Sequence, residues 1–503
     1  MVVLVVVAVL ALAAYAFHDV MFAENEVTQM SGKRIQAYSL AASGVAHLQV
    51  FLMQDAATQV EAGGRYNNPS FQAVTVVQEE GETDVGRFTV VAPALDTEGN
   101  ASGVRYGVED ESGRLNLNAL TWIETQAKAL GQETAGRDLL MALPGMTEEV
   151  ADAILDWLDE DEEAREYGAE SDYYSSLSPG YSCRNGQLET VEELLLVRGV
   201  TPQLLFGADV NRNGIIDDGE LEQSGVAMTD TETITTGWAG QLTLYSKESN
   251  LTAEGLPRIN LNEDDLQTLY DSLVEVLPEE WAVFIVAYRQ NGEYTGSEAG
   301  EAYSSGELDL SQEGKTKFTQ VLDLIGKKTQ VKFKGAEEAK VLQSPFAEDL
   351  VSMGTYMSDL VEQVTVVTAE VIPGRINVNQ ASRDVLAGIP GMTDEVVEQI
   401  LSQRNPDPTA DGTEMNHETW LLTQGLVTLD EMRSLSPFVC ASGSVYRAQV
   451  IGYYDDGRAA CRLEVVLDAT QQPASVLLWR DISHLGRGYS LETLGVAATA
   501  EGT

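Results

Sequence analysis

MVVLVVVAVLALAAYAFHDVMFAENEVTQMSGKRIQAYSLAASGVAHLQVFLMQD, residues 1–55, opens the chain and decides its architecture. The run 1–17 is almost wholly apolar, slightly short of the roughly 20 residues that cross a bilayer as a helix. Behind it, Val27, Met30, Tyr38, Ala41, Val45, Leu48 and Leu52 recur mostly at steps of three or four. That spacing lays one apolar stripe along a helix. Neither Gly nor Pro interrupts the run before Gly32. The pattern predicts a single helix over 1–55, its first third in a membrane and its remainder on a soluble domain. The alternative is a cleaved signal ending at Ala14-Tyr15-Ala16, although no basic segment precedes the apolar run.

Working outward, residues 56–84 are polar and carry one strand candidate at 73–77. Segments 87–92 and 104–108 read as strands on either side of a turn-rich stretch. The far end of the chain returns to strands at 445–454, 459–467 and 475–480. The first two are joined by Asp455-Asp456-Gly457, a hairpin signal.

Between these ends a hexad recurs: GRLNLN at 113–118, PRINLN at 257–262 and GRINVN at 374–379. Its alternation suits a short extended segment with one buried face, and its final Asn is expected to cap a following helix. LPGMTEEV at 143–150 and IPGMTDEV at 389–396 then read as helix–hairpin–helix turns. In each, a Gly turns the chain and a Thr caps an acid-led helix. LPEEW at 277–281 is a version without the Gly. Residues 291–345 read as a mobile insertion. Its Lys315, Lys317, Lys327, Lys328, Lys332, Lys334 and Lys340 form either a solvated face or a docking patch.

The chain has 503 residues, with 31 Lys+Arg against 79 Asp+Glu, a formal charge of −48. That balance excludes nucleic-acid gripping as the main task, which needs a basic face. It also argues against docking on anionic lipid. No Lys or Arg stands beside either hairpin turn, where phosphate would sit. The acidic groups show no distinguishable acid and base pair for glycoside hydrolysis, and no nucleophile motif is present. A non-enzymatic protein without a small-molecule substrate is expected. Cys440 and Cys461 flank the tail hairpin and are a possible disulfide pair that would leave Cys183 over; the sequence does not decide between paired and free.

The strongest site motif is DVNRNGIIDDGE at 209–220, matching the twelve-residue calcium loop. Asp209, Asn211 and Asn213 would offer side-chain oxygens and Ile215 its carbonyl. Asp217 would act through water and Glu220 through both oxygens, with Gly214 at the sharp turn. A weaker second cation candidate is the acidic group Asp156, Asp159, Asp161 and Glu170.

The series SGRLNLN (112–118), DWLDEDEEAREYGAESDYY (156–174), CRNGQLETVEELLLVRGVTPQLL (183–205) and GRINVNQASRDVLAGIPGM (374–392) resembles the minor pseudopilin K family of the type II secretion system. The resemblance implies an α+β fold. A long pilin-like N-terminal helix would lie on an antiparallel sheet, with a large helical domain of helix-hairpin-helix-like (SAM-like) repeats inserted into it. The expected boundaries are 1–17 (membrane) and 18–55 (amphipathic helix), then 56–118 (strands) and 119–373 (insertion). After these come 374–438 (second hairpin segment), 439–490 (C-terminal strands) and the tail 491–503. That family lacks the glutamate common at pilin position five, in agreement with Val5. The resemblance further implies calcium in the insertion and partners in the I and J minor pseudopilins and the pseudopilus. It implies a place at the pseudopilus tip, where assembly starts. It also implies a single-pass anchor in the bacterial inner membrane with the bulk in the periplasm. The competing expectation is a secreted, calcium-dependent adhesion or binding module released by cleavage at Ala16.

Overall fold

In a computed structural model, the N-terminal helix runs unbroken over Val2–Leu52. The structure describes residues 2–78, 85–129, 131–217, 219–220, 236–303, 306–311, 313–407 and 415–496. The helix buries Ala37, Leu40, Ala41, Gly44, Val45, Leu48, Phe51 and Leu52, one face at three- and four-residue steps. The expected stripe therefore holds for Ala41, Val45, Leu48 and Leu52 but not for its first members. Val27, Met30 and Tyr38 are exposed, because the sheet begins to cover the helix only at Ala37.

That sheet has seven described strands, all antiparallel. Its path is Val74–Val77, Gly86–Leu95, Val445–Tyr454, Ala460–Asp468 and Ser475–Asp481. Ala101–Tyr106 pairs with Gly86–Leu95, and Glu109–Asp110 pairs with the start of Val445–Tyr454. One face packs Phe88, Val90, Val450, Leu463 and Val465 against the helix. The other buries Val91, Ile451 and Tyr453 under Tyr489 and Leu494. All three cysteines are buried and free, so Cys440 and Cys461 are not bridged.

The chain leaves the sheet after Asp110 and returns at Val445, and a helical insertion lies between. Here the three hexads show a common logic. Leu115–Asn116 pairs in parallel with Leu242–Thr243, Ile259–Asn260 with Val364–Thr365, and Ile376–Asn377 with Val439–Cys440. Each hexad thus starts a unit that closes on its own distant strand. The expected role of the last Asn is corrected by the structure. The first Asn makes the local cap: Asn116, Asn260 and Asn377 accept from the N–H of Asn118, Asn262 and Asn379 at 2.9–3.0 Å. The last Asn instead clamps a remote loop. Asn118 donates to the Leu188 carbonyl (3.0 Å) and accepts its N–H (2.8 Å). Asn262 does the same to Phe318 (2.9 and 2.8 Å). Asn379 donates to the carbonyls of Met415 and Ala441, both at 3.0 Å. A side-chain amide has a donor and an acceptor side by side, so it pairs with a peptide group as another peptide would. Asn379→Ala leaves two carbonyls without their donor and is expected to cost about 1–3 kcal/mol. An unchanged urea midpoint would remove the clamp from the account.

Both proline–glycine turns join two helices: Ala135–Met141 to Glu148–Leu158, and Arg383–Ala387 to Asp394–Gln403. Gly145 (φ +71°) and Gly391 (φ +85°) take the left-handed conformation there. The described residues of 291–345 pack against the helical insertion. They carry the hairpin Lys328–Val331 with Lys340–Gln343 and bury Leu308, Phe318, Leu322 and Phe333 in the same core as the helices. Two of its lysines are paired locally, Lys327 with Glu293 (3.0 Å) and Lys334 with Glu307 (2.7 Å).

Candidate cation sites and the exposed helix

The loop 209–220 lies where the helical insertion meets the sheet. Thr201 caps the short helix Pro202–Phe206 that leads into it. Asp209 accepts the N–H groups of Asn213 (3.1 Å) and Gly214 (2.9 Å), and Asn213 accepts that of Ile215 (2.8 Å). The Glu220 carboxylate folds back over the loop, accepting from Asn211 N–H (2.8 Å) and Asp217 N–H (3.0 Å). Asn211 donates to Asp217 at 3.1 Å. So Asp209, Asn211, Asn213, Asp217 and Glu220 are tied into one small loop, in which Ile215 is held by its N–H bond to Asn213. Burial raises the Asp209 carboxylate above the usual range; the Gly214 and Asn213 N–H groups oppose that, and Glu220 adds to it.

The chemistry fits a hard cation. Calcium takes about six to eight oxygen ligands. Among the described residues, the buried Oδ1 of Asn211 has no donor of its own. The outside of the loop is tied to the sheet. Arg462 donates to the carbonyls of Asn211 (2.8 Å) and Arg212 (2.6 Å), and Gln449 also donates to that of Arg212 (2.7 Å). Asn213 donates to Gly488 O at 2.8 Å. Asp209, Asn213 and Gly214 also form one wall of a cavity of about 160 Å³ between sheet and insertion.

The second acidic group sits in the first hexad's unit, after the helix Glu148–Leu158. Arg165 engages two of the four sequence-selected residues, Asp156 and Asp159. Asp156 is fully buried and accepts from Arg165 Nη1 at 2.8 Å and from its backbone N–H, so it is engaged by a guanidinium. Asp159, Asp161 and Glu170 instead converge, with one oxygen of each within 4.8 Å of the others. Glu170 is 5% exposed, yet among the described residues neither carboxylate oxygen has a hydrogen-bond donor, and Oδ1 of Asp159 lacks one too. Burial first, then the charges of Asp156, Asp159 and Glu162, raise Glu170 to about 7. Arg165 pairs with Asp159 as well, so the carboxylate left without a partner among the described residues is chiefly Glu170, an arrangement whose chemistry fits a cation.

Two neighbours were missed from the sequence. Asn185 donates to the Asp161 carbonyl (2.6 Å) and has a buried, unpartnered Oδ1 of its own. Its placement in an Asn-Gly turn with φ +50° was the available signal. Cys183 Sγ lies 3.8 Å from the Asp156 carbonyl; burial, with the Glu170 charge, pushes its thiol up to about 12 against the Asn185 and Arg184 N–H groups.

Away from these sites, the N-terminal helix stands bare over its first half. Val3, Leu4, Leu10, Leu12, Phe17 and Phe22 are all exposed. By length and composition the helix is able to cross a membrane.

Residues 113–206 match the family described as type II secretion system (T2SS), protein K. No curated protein matches the chain. Among solved structures, the crystal structure of the GspK–GspI–GspJ complex from the type 2 secretion system of enterotoxigenic Escherichia coli is similar at 11% identity. The similarity covers 92% of this chain and 98% of that chain, with a TM-score of 0.36.

Proposed function

We propose that this chain, whose residues 113–206 match the type II secretion system protein K family, is a minor pseudopilin that starts pseudopilus assembly from the tip. The observation that carries the reading is the division of one helix. Its last third, from Ala37 onward, is fixed to the sheet, while the part before it offers a bare apolar surface. In the bilayer that surface anchors the chain by a single pass, leaving the sheet and insertion in the periplasm. In the fibre it packs on the equivalent helices of the I and J minor pseudopilins. The apolar run 1–17 contains no carboxylate. The role is assembly, without catalysis. The proline–glycine turns act as protein-packing helix–hairpin–helix elements, acidic where a nucleic-acid reader would be basic.

Calcium supports this role by holding the acidic insertion together. Asp209, Asn211, Asn213, Ile215, Asp217 and Glu220 would hold one ion at the junction with the sheet. Asp159, Asp161 and Glu170, with Asn185, would hold a second cation. Each ion offsets carboxylate repulsion in a chain of charge −48.

The full chain in detergent, mixed with the I and J minor pseudopilins of the same cell, is expected to elute as one complex in calcium. Chelator is expected to lower its melting temperature and weaken that complex. Separate elution of three folded proteins in calcium would overturn the reading. A native chain found by mass spectrometry to start at Phe17 would favour the secreted module instead.

A further inference from the structure

The strand Ser475–Asp481 ends the path of the sheet. It pairs with Ala460–Asp468 on one side, and among the described residues no strand pairs with its other side. The pairing is regular from Leu478 to Asp481, with the register shift confined to Val466/Leu467. Just beyond it, Ile482 donates to the Arg462 carbonyl at 2.9 Å. Bonds alternate along an antiparallel ladder, so Leu478 and Arg480 turn their peptide groups toward Ala460–Asp468, and Trp479 and Asp481 turn theirs outward. Native sheets usually guard such an edge with charge or proline. Here the run is Val476-Leu477-Leu478-Trp479. Arg480 is drawn away to Glu464 and Glu192, and Val476 and Trp479 are each 40% exposed.

Trp479 stands opposite Val465, which packs against the N-terminal helix, so Trp479 lies on the helix side of the sheet. Gln49 of that helix donates to the Ala474 carbonyl at 2.9 Å, immediately before the edge strand. The helix flank toward the edge therefore carries Tyr38, Ala42, Ala46 and Met53, at three- and four-residue steps through Gln49. Tyr38, Ala46 and Met53 are exposed, and the flank runs on into the bare apolar surface before Ala37.

Resting on the reading of that surface as the contact with a neighbouring pilin-like helix, we infer that the edge Ser475–Asp481 receives an extended strand of the same neighbouring subunit, which adds to the sheet. Main-chain bonds would give the affinity, and Val476 and Trp479 the apolar contacts. A second copy of this chain is a poor occupant for two reasons. Two identical edges pair antiparallel about a two-fold axis. The helix runs along the strands, with Ala37 and Ala41 at Gly452 and Gly44 at Val450, so that axis would point the two membrane ends in opposite directions. Two chains of charge −48 also repel each other. A different subunit, anchored in the same membrane and lying along the same helix, brings its sheet to this edge with both anchors on one side.

The test is hydrogen exchange of the full chain in detergent and calcium, alone and mixed with the I and J minor pseudopilins of the same cell. Mixing is expected to slow exchange severalfold at Trp479 and Asp481, because each outward N–H gains an acceptor. This readout uses the unmodified chain and stands whether or not a variant folds. Trp479→Pro removes one of those N–H groups at a position where an edge strand tolerates proline, and Trp479→Lys places a charge on the edge. Both are expected to weaken the complex severalfold, with the melting temperature of each variant alone reporting its folding. A complex that forms without added protection over 476–482, or that both folded variants join as tightly as the unmodified chain, overturns this inference and leaves the assembly reading standing. Protection that arises in the chain alone as its concentration rises marks a second copy and overturns it too. Separate elution of three folded proteins overturns both.

Discussion

Arg447→Ala is expected to lower folding stability by about 3–5 kcal/mol, the cost of breaking a buried ion pair from one side. Arg447 lies on the central strand Val445–Tyr454 and joins the sheet to the insertion. Its Nε donates to Glu111 at 2.5 Å, and its Nη1 donates to Glu464 at 2.6 Å. Glu464 is also held by Arg480 at 2.9 Å, and Arg480 reaches Glu192 in the insertion. Glu111 is fully buried, so loss of the guanidinium leaves it charged without its main partner. Arg447→Lys keeps the charge but loses the two-pronged geometry, and should fall between the two. The pH dependence has a definite sign. Burial alone would raise Glu464, but Arg447 and Arg480 outweigh it and bring the carboxylate from 4.5 down to about 2. Glu111 is lowered against the same burial, by Arg447 and then Arg114. A depressed folded value stabilises above the unfolded one, so the contribution is whole above pH 4.5 and lost as pH falls toward about 2. Urea unfolding across that window should show a steep acid loss in the native chain and a shallower one in Arg447→Ala. Equal acid slopes would show that the network is not what stabilises the junction.

Gly452→Ala should be nearly as damaging, by a steric route. A Cβ at Gly452 would lie 2.1 Å from the Ala37 carbonyl oxygen and 2.4 Å from the Ala41 nitrogen. These are backbone atoms of the N-terminal helix, which cannot rotate aside as a side chain can. Overpacking typically costs about 1–3 kcal/mol and sometimes more. Here the upper end is expected, because the whole helix must lift from the sheet. Hydrogen exchange should lose protection along 37–52 while the strands keep theirs. Gly44→Ala is the milder counterpart, since its Cβ would meet side-chain atoms of Val450 (2.5 Å) and Phe88 (2.8 Å). Gly354→Ala, with nothing within 4 Å, is the control and should stabilise its helix by about 0.5–1 kcal/mol. Equal exchange profiles for Gly452→Ala and Gly354→Ala would disprove the close contact.

Much of this architecture was legible before any coordinates. The helix over Val2–Leu52, the strands on both sides of the tail hairpin, the hexad repeats and the loop 209–220 each follow from residues within about four positions of one another. Periodicity, caps and turn chemistry act at that range, so sequence alone determines them. What sequence could not determine is which remote groups meet. Asn118 and Leu188 are 70 residues apart, and Asn379 reaches Ala441 across 62. The same limit governs the acidic group. DWLDEDEE presents its carboxylates as equals, but the fold gives Asp156 and Asp159 to Arg165 and turns Asp159, Asp161 and Glu170 toward one point. It also covers Ala37 while leaving Val27 bare on the same helix, because the sheet is shorter than the stripe. Local chemistry fixed the elements and the loop. The tertiary structure alone decided the partners, since burial and ion pairing depend on what the rest of the chain brings near, and residue spacing does not encode that.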